Sequence, residues 1–393
     1  MTYLDHAATT PMLPEAVAAM TAELGRVGNP SSLHGSGRAA RRVVEESRET
    51  IAAALGCRPG EIIFTAGGTE SDNLAVKGLF WAGQASDPAR RRLLISAVEH
   101  HAVLDAAMWL ADRQDAQVEV LPVDEVGRLH PSTLRRAISA DPASVALVSV
   151  MWANNEVGTI QLVAELAAVA HEFDVPFHTD AVQAVGAVPV EFAAAGVDAL
   201  SLTGHKLGGP MGIGGLVLAR GSVPVPLRHG GGQENDVHSG TLDTPAIAGF
   251  AAAMEVVARR LPATRAALSS LREELVAGVR AAVPDAIHNG DPVNRLPGNA
   301  HFSFPGCEGD SLLMLLDARG IECSTGSACS AGVARPSHVL LAMGADEETA
   351  RSSLRFSLGH TSTAADVADL LAVLPPVVDR ARRAGAVAAG RRG

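Results

Sequence analysis

The chain has 393 residues, 47% of them apolar and 19% charged, and its 32 basic and 43 acidic side chains leave a formal net charge of -11. A chain of this length and apolar content buries roughly three quarters of the surface it exposes when unfolded, which excludes intrinsic disorder for most of it. The acidic balance repels a phosphate backbone unless a local basic patch overrides it, and argues against nucleic acid as a main ligand.

The opening MTYLDHAATT carries Asp5 and no positive flank, and no apolar run reaches the ~18 residues of a membrane span, so a soluble cytosolic protein without membrane contact is expected. From about residue 14 to 255, amphipathic helix alternates with short apolar strand, the pattern of an α/β layer structure with a mainly parallel sheet. Helices are predicted at 37–55, 70–82, 102–113 and 162–173. Strands are predicted at 61–65, 92–97, 118–122, 145–151, 176–179, 199–202 and 214–219. A long helix from 244 to 283, kinked at Pro262, leads into a different texture: strand 299–304, helix 310–319, strand 321–324 and strand 353–358, then a final helix. That mixture reads as a smaller α+β domain. The tail RARRAGAVAAGRRG is expected to fray.

The segments between predicted strands and helices hold the polar residues worth weighing, because an α/β sheet presents its chemistry at strand ends. FTAGGTES (64–71) runs a strand into glycines and then a helix start. Backbone N–H groups and the helix N-terminus there suit a phosphate, although Thr69 can equally be a plain cap. Lys77 and Lys206 are the only lysines. Lys77 sits in a helix with small and apolar neighbours and reads as a solvated helix residue. Lys206, in SLTGHK (201–206), follows a strand and precedes glycines, where an amine of lowered basicity serves as a Schiff-base nucleophile; the alternative is a surface lysine.

Asp180 and Gln183 in HTDAVQ (178–183) can pair with a protonated ring nitrogen and with an oxygen on the same ring, or Asp180 can simply cap a helix. Asn154-Asn155-Glu156 and Glu99-His100-His101 follow two further strands, the latter offering an imidazole to stack and move protons. The four cysteines, Cys57, Cys307, Cys323 and Cys329, form no CxxC pair, which argues against a zinc finger or a disulfide scaffold and for a reduced compartment. Cys329 alone lies in a loop of tiny residues, STGSACSAG (324–332), where a thiol has little to pack against. A metal site from Cys323 and Cys329 is poorly spaced.

Taken together, the chain resembles the cysteine desulfurases of the NifS/IscS group, fold-type I enzymes dependent on pyridoxal 5'-phosphate within the class-V aminotransferases. The resemblance runs the whole length and is carried by YLDHAATTP (3–11), NPSSLHGSGR (29–38), EIIFTAGGTESDN (61–73), EHHAV (99–103), NNEVGTIQ (154–161), HTDAVQ (178–183) and GHK (204–206). It continues in GGGQE (230–234), SGT (239–241), STGSACSAG (324–332) and RFSLG (355–359). It implies a large α/β domain, 14–255, around a central mainly parallel seven-stranded sheet, and a smaller α+β domain of 1–13 and 256–393 that carries the thiol loop.

By position, the resemblance makes Lys206 the Schiff-base lysine, Asp180 the partner of the pyridine nitrogen and His100 the residue stacked on the ring. It places Asn155 and Gln183 at the phenolic side and Gly68, Thr69, Thr203 and His205 at the phosphate, joined across a homodimer by Thr241. Arg355, with Asn155, would bind the substrate carboxylate, and Lys206 and His100 would move the α-proton. Cys329 would be the nucleophile that takes sulfur from L-cysteine as a persulfide, releases L-alanine and hands the sulfur to an acceptor or iron–sulfur scaffold protein for cluster assembly or thiolation. No resident metal is implied, Cys329 being at most a transient iron–sulfur ligand. The alternatives are a selenocysteine or cystine lyase of the same cofactor family and a non-catalytic sulfur-carrier scaffold. Two positions depart from the family pattern, Met211 in GPMG and His238 before SGT, and both remove positive charge.

Overall fold

A computed structural model describes residues 1–326 and 336–390, with side chains up to residue 384. The chain opens with Thr2–Tyr3 (β1), then Pro14–Leu24 (α1) and Gly35–Leu55 (α2). The strands Ile62–Thr65 (β2), Arg92–Ser96 (β3), Gln117–Leu121 (β4), Val145–Ser149 (β5), Phe177–Asp180 (β6), Ala199–Thr203 (β7) and Gly214–Leu218 (β8) come next. Between them lie the helices Gly68–Ser86 (α3), His101–Gln114 (α4), Pro131–Ala140 (α5), Val163–His171 (α6) and Phe192–Ala195 (α7).

These strands form one seven-stranded sheet in the order β2-β8-β7-β6-β5-β3-β4. Neighbours from β7 through β4 pair in parallel, whereas β8 runs antiparallel to both β2 and β7. β5, β7 and β8 are buried along their whole length, as strands covered on both faces must be. Gly214 opens β8 because a Cβ there would meet the Leu202 carbonyl oxygen at 2.6 Å and the Gly67 Cα at 2.7 Å. Only glycine lets β8 lie that close to the turn before α3.

The helix Thr244–Ala282 (α8) starts on Asp243, whose carboxylate accepts from the Ala246 N–H at 3.1 Å, and continues as one element of 39 residues through Pro262. Beyond it come Ile287–Asn289 (β9), Asn299–Ser303 (β10), Gly309–Asp317 (α9), Ile321–Glu322 (β11), His338–Ala342 (α10), Glu347–Arg351 (α11), Ser353–Ser357 (β12) and Ala364–Gly390 (α12). β12-β10-β9 form an antiparallel sheet, and β1 pairs in parallel with β11. Leu4 packs in one apolar cluster with Leu275, Phe302, Phe304, Leu316, Phe356 and Leu374, so the N-terminal strand belongs to the core built from the C-terminal third. Fully burying each of those phenylalanines contributes about 1.5–3 kcal/mol. Among the described residues no helix is long and apolar enough to cross a membrane.

β1 and β9 have two and three residues and leave no readable alternation in the sequence. The expected strand 321–324 pairs with β1 only at Ile321 and Glu322, and Ser324 instead bridges Arg355 on β12.

Candidate active site

The carboxyl ends of β2, β3, β5, β6 and β7 converge on a cavity of about 370 Å³. Its lining includes Gly68, Thr69, His100, Asn155, Asp180, Gln183, Thr203, His205, Lys206 and Arg355, all singled out in the sequence. Thr241 lies apart from it on an exposed stretch, and Cys329 falls outside the described residues.

At one end, β2 passes through Thr65 and Ala66 into Gly67, whose φ of 147° is a conformation side chains avoid, and α3 begins at Gly68. A Cβ on Gly68 would meet Val182 Cγ2 at 2.6 Å. The two glycines thus leave the first N–H groups of a 19-residue helix facing open space beside Thr203 and His205, a cradle suited to a dianion. Thr203 is held by donating to the Ile213 carbonyl at 3.2 Å, and His205 Nδ1 sits 3.3 Å from Thr9 Oγ1.

The floor of the cavity is acidic. Asp180 ends β6 and accepts the Val182 N–H on Oδ1 at 2.8 Å, so it forms a turn rather than capping a helix. Burial pushes its carboxyl up to about 6, against the pull of Lys206. Asp72 is 1% exposed, and burial together with Asp180 raises it well above the usual carboxylate range. Glu99, raised by burial, accepts the Met151 N–H at 2.9 Å on one oxygen and has no partner on the other. Beneath them His178 is clamped between the hydroxyls of Ser149 (2.8 Å) and Ser201 (2.9 Å), and burial drives it down to about 3, so it is neutral. Lys206 offsets this acidity only in part, and a protonated ring nitrogen at Asp180 would supply a further cation.

Lys206 is the amine in this cavity. Its Nζ donates to the carbonyls of Ala7 at 2.5 Å and Ala8 at 2.7 Å, and Gln183 Nε2 also donates to Ala7 at 2.9 Å. Burial, with Arg355 adding to it, lowers Lys206 to about 8 while Asp5 and Asp180 oppose the shift. His100 caps α4: its Nδ1 accepts the Ala102 N–H at 3.2 Å, which leaves the proton of the neutral ring on Nε2. Burial and then Lys206 lower it to about 4, and the same two causes lower His205 to about 4. Arg355, on β12, donates from Nη1 to the Asn155 carbonyl at 2.9 Å and from Nη2 to Asp5 at 2.7 Å.

Sequence reasoning did not assign a role to Asp5, Ala7, Ala8 or Asp72. Two of these act through backbone carbonyls, which no side-chain pattern announces. Of the departures, Met211 is 69% exposed at the outer mouth of the glycine cradle. His238 turns its Nε2 to within 3.1 Å of Glu70, which also accepts from Ala66 N–H and Arg228. Lys77 places its ammonium 4.6 Å over the Trp109 ring. Among the described residues no group of His, Cys, Asp and Glu is arranged to hold a metal ion.

The profile of the family described as Aminotransferase class-V matches residues 2–370. The chain belongs to the class-V aminotransferase family. This class-V member is 58% identical over 392 residues to the IscS-like cysteine desulfurase of Mycobacterium tuberculosis (strain ATCC 25618 / H37Rv), covering 99% of each chain. It is 43% identical to the cysteine desulfurase IscS of Dictyoglomus turgidum (strain DSM 6724 / Z-1310), across 97% of this chain and 95% of that one. Among solved structures a NifS-like protein superposes with a TM-score of 0.88 at 34% identity, covering 96% of this chain and all of that one. SspA in complex with cysteine superposes at 0.79 and 33% identity, covering 91% and 99%. The α/β fold with its mostly parallel central sheet is therefore that of the NifS-like members of the class-V family.

Proposed function

We propose that the protein is a pyridoxal 5'-phosphate-dependent cysteine desulfurase, which converts L-cysteine to L-alanine and retains the sulfur on Cys329 as a persulfide. The observation that carries this reading is the convergence of Lys206, Asp180, His100 and Arg355 on one cavity, in a chain whose relatives bear that name.

The residues present fit the cofactor: the unneutralised floor at Asp72 and Asp180 asks for a cation, and the Gly67–Gly68 cradle asks for an anion. Lys206 would hold its aldehyde, Asp180 its ring nitrogen and His100 its ring face. Asn155 and Gln183 would take its phenolic oxygen, and Gly68, Thr69, Thr203 and His205 its phosphate, with Thr241 completing the phosphate site of the partner in a homodimer. When bound, the cofactor withdraws electrons from the substrate's α-carbon.

The chain's own groups do the rest. Arg355 and Asn155 receive the substrate carboxylate, the guanidinium offering a fork of N–H donors. Lys206 Nζ, its basicity lowered by burial, takes up the α-proton, with His100 assisting, work typically worth roughly 10²- to 10⁴-fold in rate. The Cys329 thiolate attacks the substrate sulfur; the carbon–sulfur bond breaks, its electron pair stays with carbon, and protonation there, with return of the α-proton from Lys206, gives L-alanine. The persulfide then passes to a sulfur-acceptor or iron–sulfur scaffold protein in the cytoplasm. We further propose 14–255 and 1–13 with 256–393 as the two domains, supported by the separate apolar cluster that joins Leu4 to the C-terminal third.

The test is to incubate the cofactor-loaded protein with L-cysteine and look by mass spectrometry for one added sulfur on Cys329. The sulfur is expected in the wild type and absent in Lys206→Ala; its equal appearance in both would refute the mechanism. Alanine release that survives Cys329→Ala would point to a selenocysteine or cystine lyase instead.

A further inference from the structure

The arginine proposed to receive the substrate carboxylate already has an anionic neighbour. Arg355 is 4% exposed, and its Nη2 donates to Asp5 Oδ1 at 2.7 Å while its Nη1 donates to the Asn155 carbonyl at 2.9 Å. Its Nε is buried without a partner. Arg355 and Asn155 line the cavity and Asp5 does not, so Asp5 grips the guanidinium from outside the space a ligand would fill.

Asp5 is itself fixed. Its carbonyl accepts from the Ala8 N–H at 3.0 Å and from the Tyr3 hydroxyl at 3.1 Å, and the next residue but one, Ala7, donates its N–H to Ser357 Oγ at 2.9 Å. Within four residues this turn therefore presents a carboxylate to Arg355 and two carbonyls to Lys206.

We infer that Asp5 is a positioning residue: it holds the Arg355 guanidinium in the orientation that turns its remaining N–H groups toward the α-carboxylate of the substrate. The inference rests on the reading of Arg355 as the carboxylate receiver. A guanidinium is a rigid planar fork, and two in-plane N–H donors must meet the two carboxylate oxygens together. Two anchors, one on each terminal nitrogen, fix that plane; the Asn155 carbonyl alone leaves it free to turn. Charge acts in the opposite sense, because deleting the Asp5 carboxylate leaves a bare buried cation that attracts an incoming anion more strongly. Orientation outweighs it here, since a misaligned fork forfeits a charge-assisted hydrogen bond.

The experiment compares L-cysteine with cysteamine, the same molecule without the carboxylate, on the cofactor-loaded enzyme. Asp5→Ala is expected to raise KM for L-cysteine about ten-fold, the loss of one charge-assisted hydrogen bond, with kcat little changed. Cysteamine binding, read from the cofactor's absorbance, should not move. Asp5→Asn keeps an acceptor without the charge, so its KM should lie between wild type and Asp5→Ala; it also serves if Asp5→Ala does not fold. Arg355→Ala should abolish the preference for L-cysteine over cysteamine. Parallel weakening of both ligands in the Asp5 variants would show a merely structural role, and tighter L-cysteine binding would make Asp5 a competitor; either overturns the inference. A preference that survives Arg355→Ala would instead overturn the carboxylate reading on which it rests.

Discussion

Asp72 Oδ1 lies 3.7 Å from Nε2 of His178, an imidazole whose two nitrogens are already engaged by Ser149 and Ser201. The ring is neutral and cannot compensate the acidic groups above it. Burial therefore makes negative charge at Asp180 unfavourable, which the Val182 N–H and Lys206 offset only in part.

The first prediction follows from the sign of that effect. Asp180 has a folded value of about 6 against an ordinary 3.8, so above pH 6 the folded cofactor-free protein carries a cost that the unfolded chain does not. Asp180→Asn should raise the stability of cofactor-free protein at pH 7.5 by roughly 1–3 kcal/mol while abolishing desulfuration. The gain should fade as pH falls through 6 and vanish below about 4, where both states hold the protonated acid. Urea unfolding across that range checks it; a variant no more stable than wild type at pH 7.5 contradicts it.

Lys206 supplies the second. With its amine lowered to about 8, roughly a tenth of it is neutral at pH 7, against well under a thousandth for an ordinary lysine. Cofactor attachment to the empty protein, followed by absorbance, should accelerate about ten-fold between pH 7 and pH 9 and then level off. A rate still climbing steeply past pH 10 would mean that the cavity does not perturb the amine.

The third concerns Gly214. An alanine Cβ there would collide with backbone at both Leu202 and Gly67, and neither can give way as a flexible side chain would. Gly214→Ala is expected to shift the turn at Gly67 and weaken cofactor affinity by at least ten-fold, with KM for L-cysteine in the loaded enzyme much less affected. Titration of the empty variant with the cofactor measures this directly.

The fourth is structural. Arg48 makes a bidentate pair with Glu234 at 2.9 and 2.7 Å, and Glu234 also accepts the Phe64 N–H at 2.7 Å. That buried anchor holds three successive non-glycine residues, Glu234, Asn235 and Asp236, at φ of 49°, 57° and 63°. Arg48→Met strands the carboxylate and should cost about 3–5 kcal/mol of stability by denaturant unfolding. A loss below 1 kcal/mol would show that the turn holds itself.

What the sequence revealed and what it hid divide along physical lines. Lys206, Asp180, His100 and the glycine turn were legible because each sits at or just past the end of a strand, and a mainly parallel sheet gathers such ends at one edge. The strap from Asp5 to Thr9 was not. Its contacts with Lys206 pass through the carbonyls of two alanines, and its carboxylate meets a partner 350 residues away. Asp72 reads as one more polar residue in the first turns of α3, and only the packing of α3 against the sheet shows that it is buried. His238 reads as a lost positive charge, whereas its contact with Glu70 depends on how the 228–240 segment folds back over the start of α3.

The pairing of β1 with β11, and of Asp5 with Arg355, bears on how the protein is made. A chain leaving the ribosome can complete its large parallel sheet early, yet the first residues synthesised must wait for nearly the last before they find their partners. Until then the lysine lacks its fully formed surroundings and the arginine does not exist. The contact between Asp5 and Arg355 is thereby tied to near-complete translation.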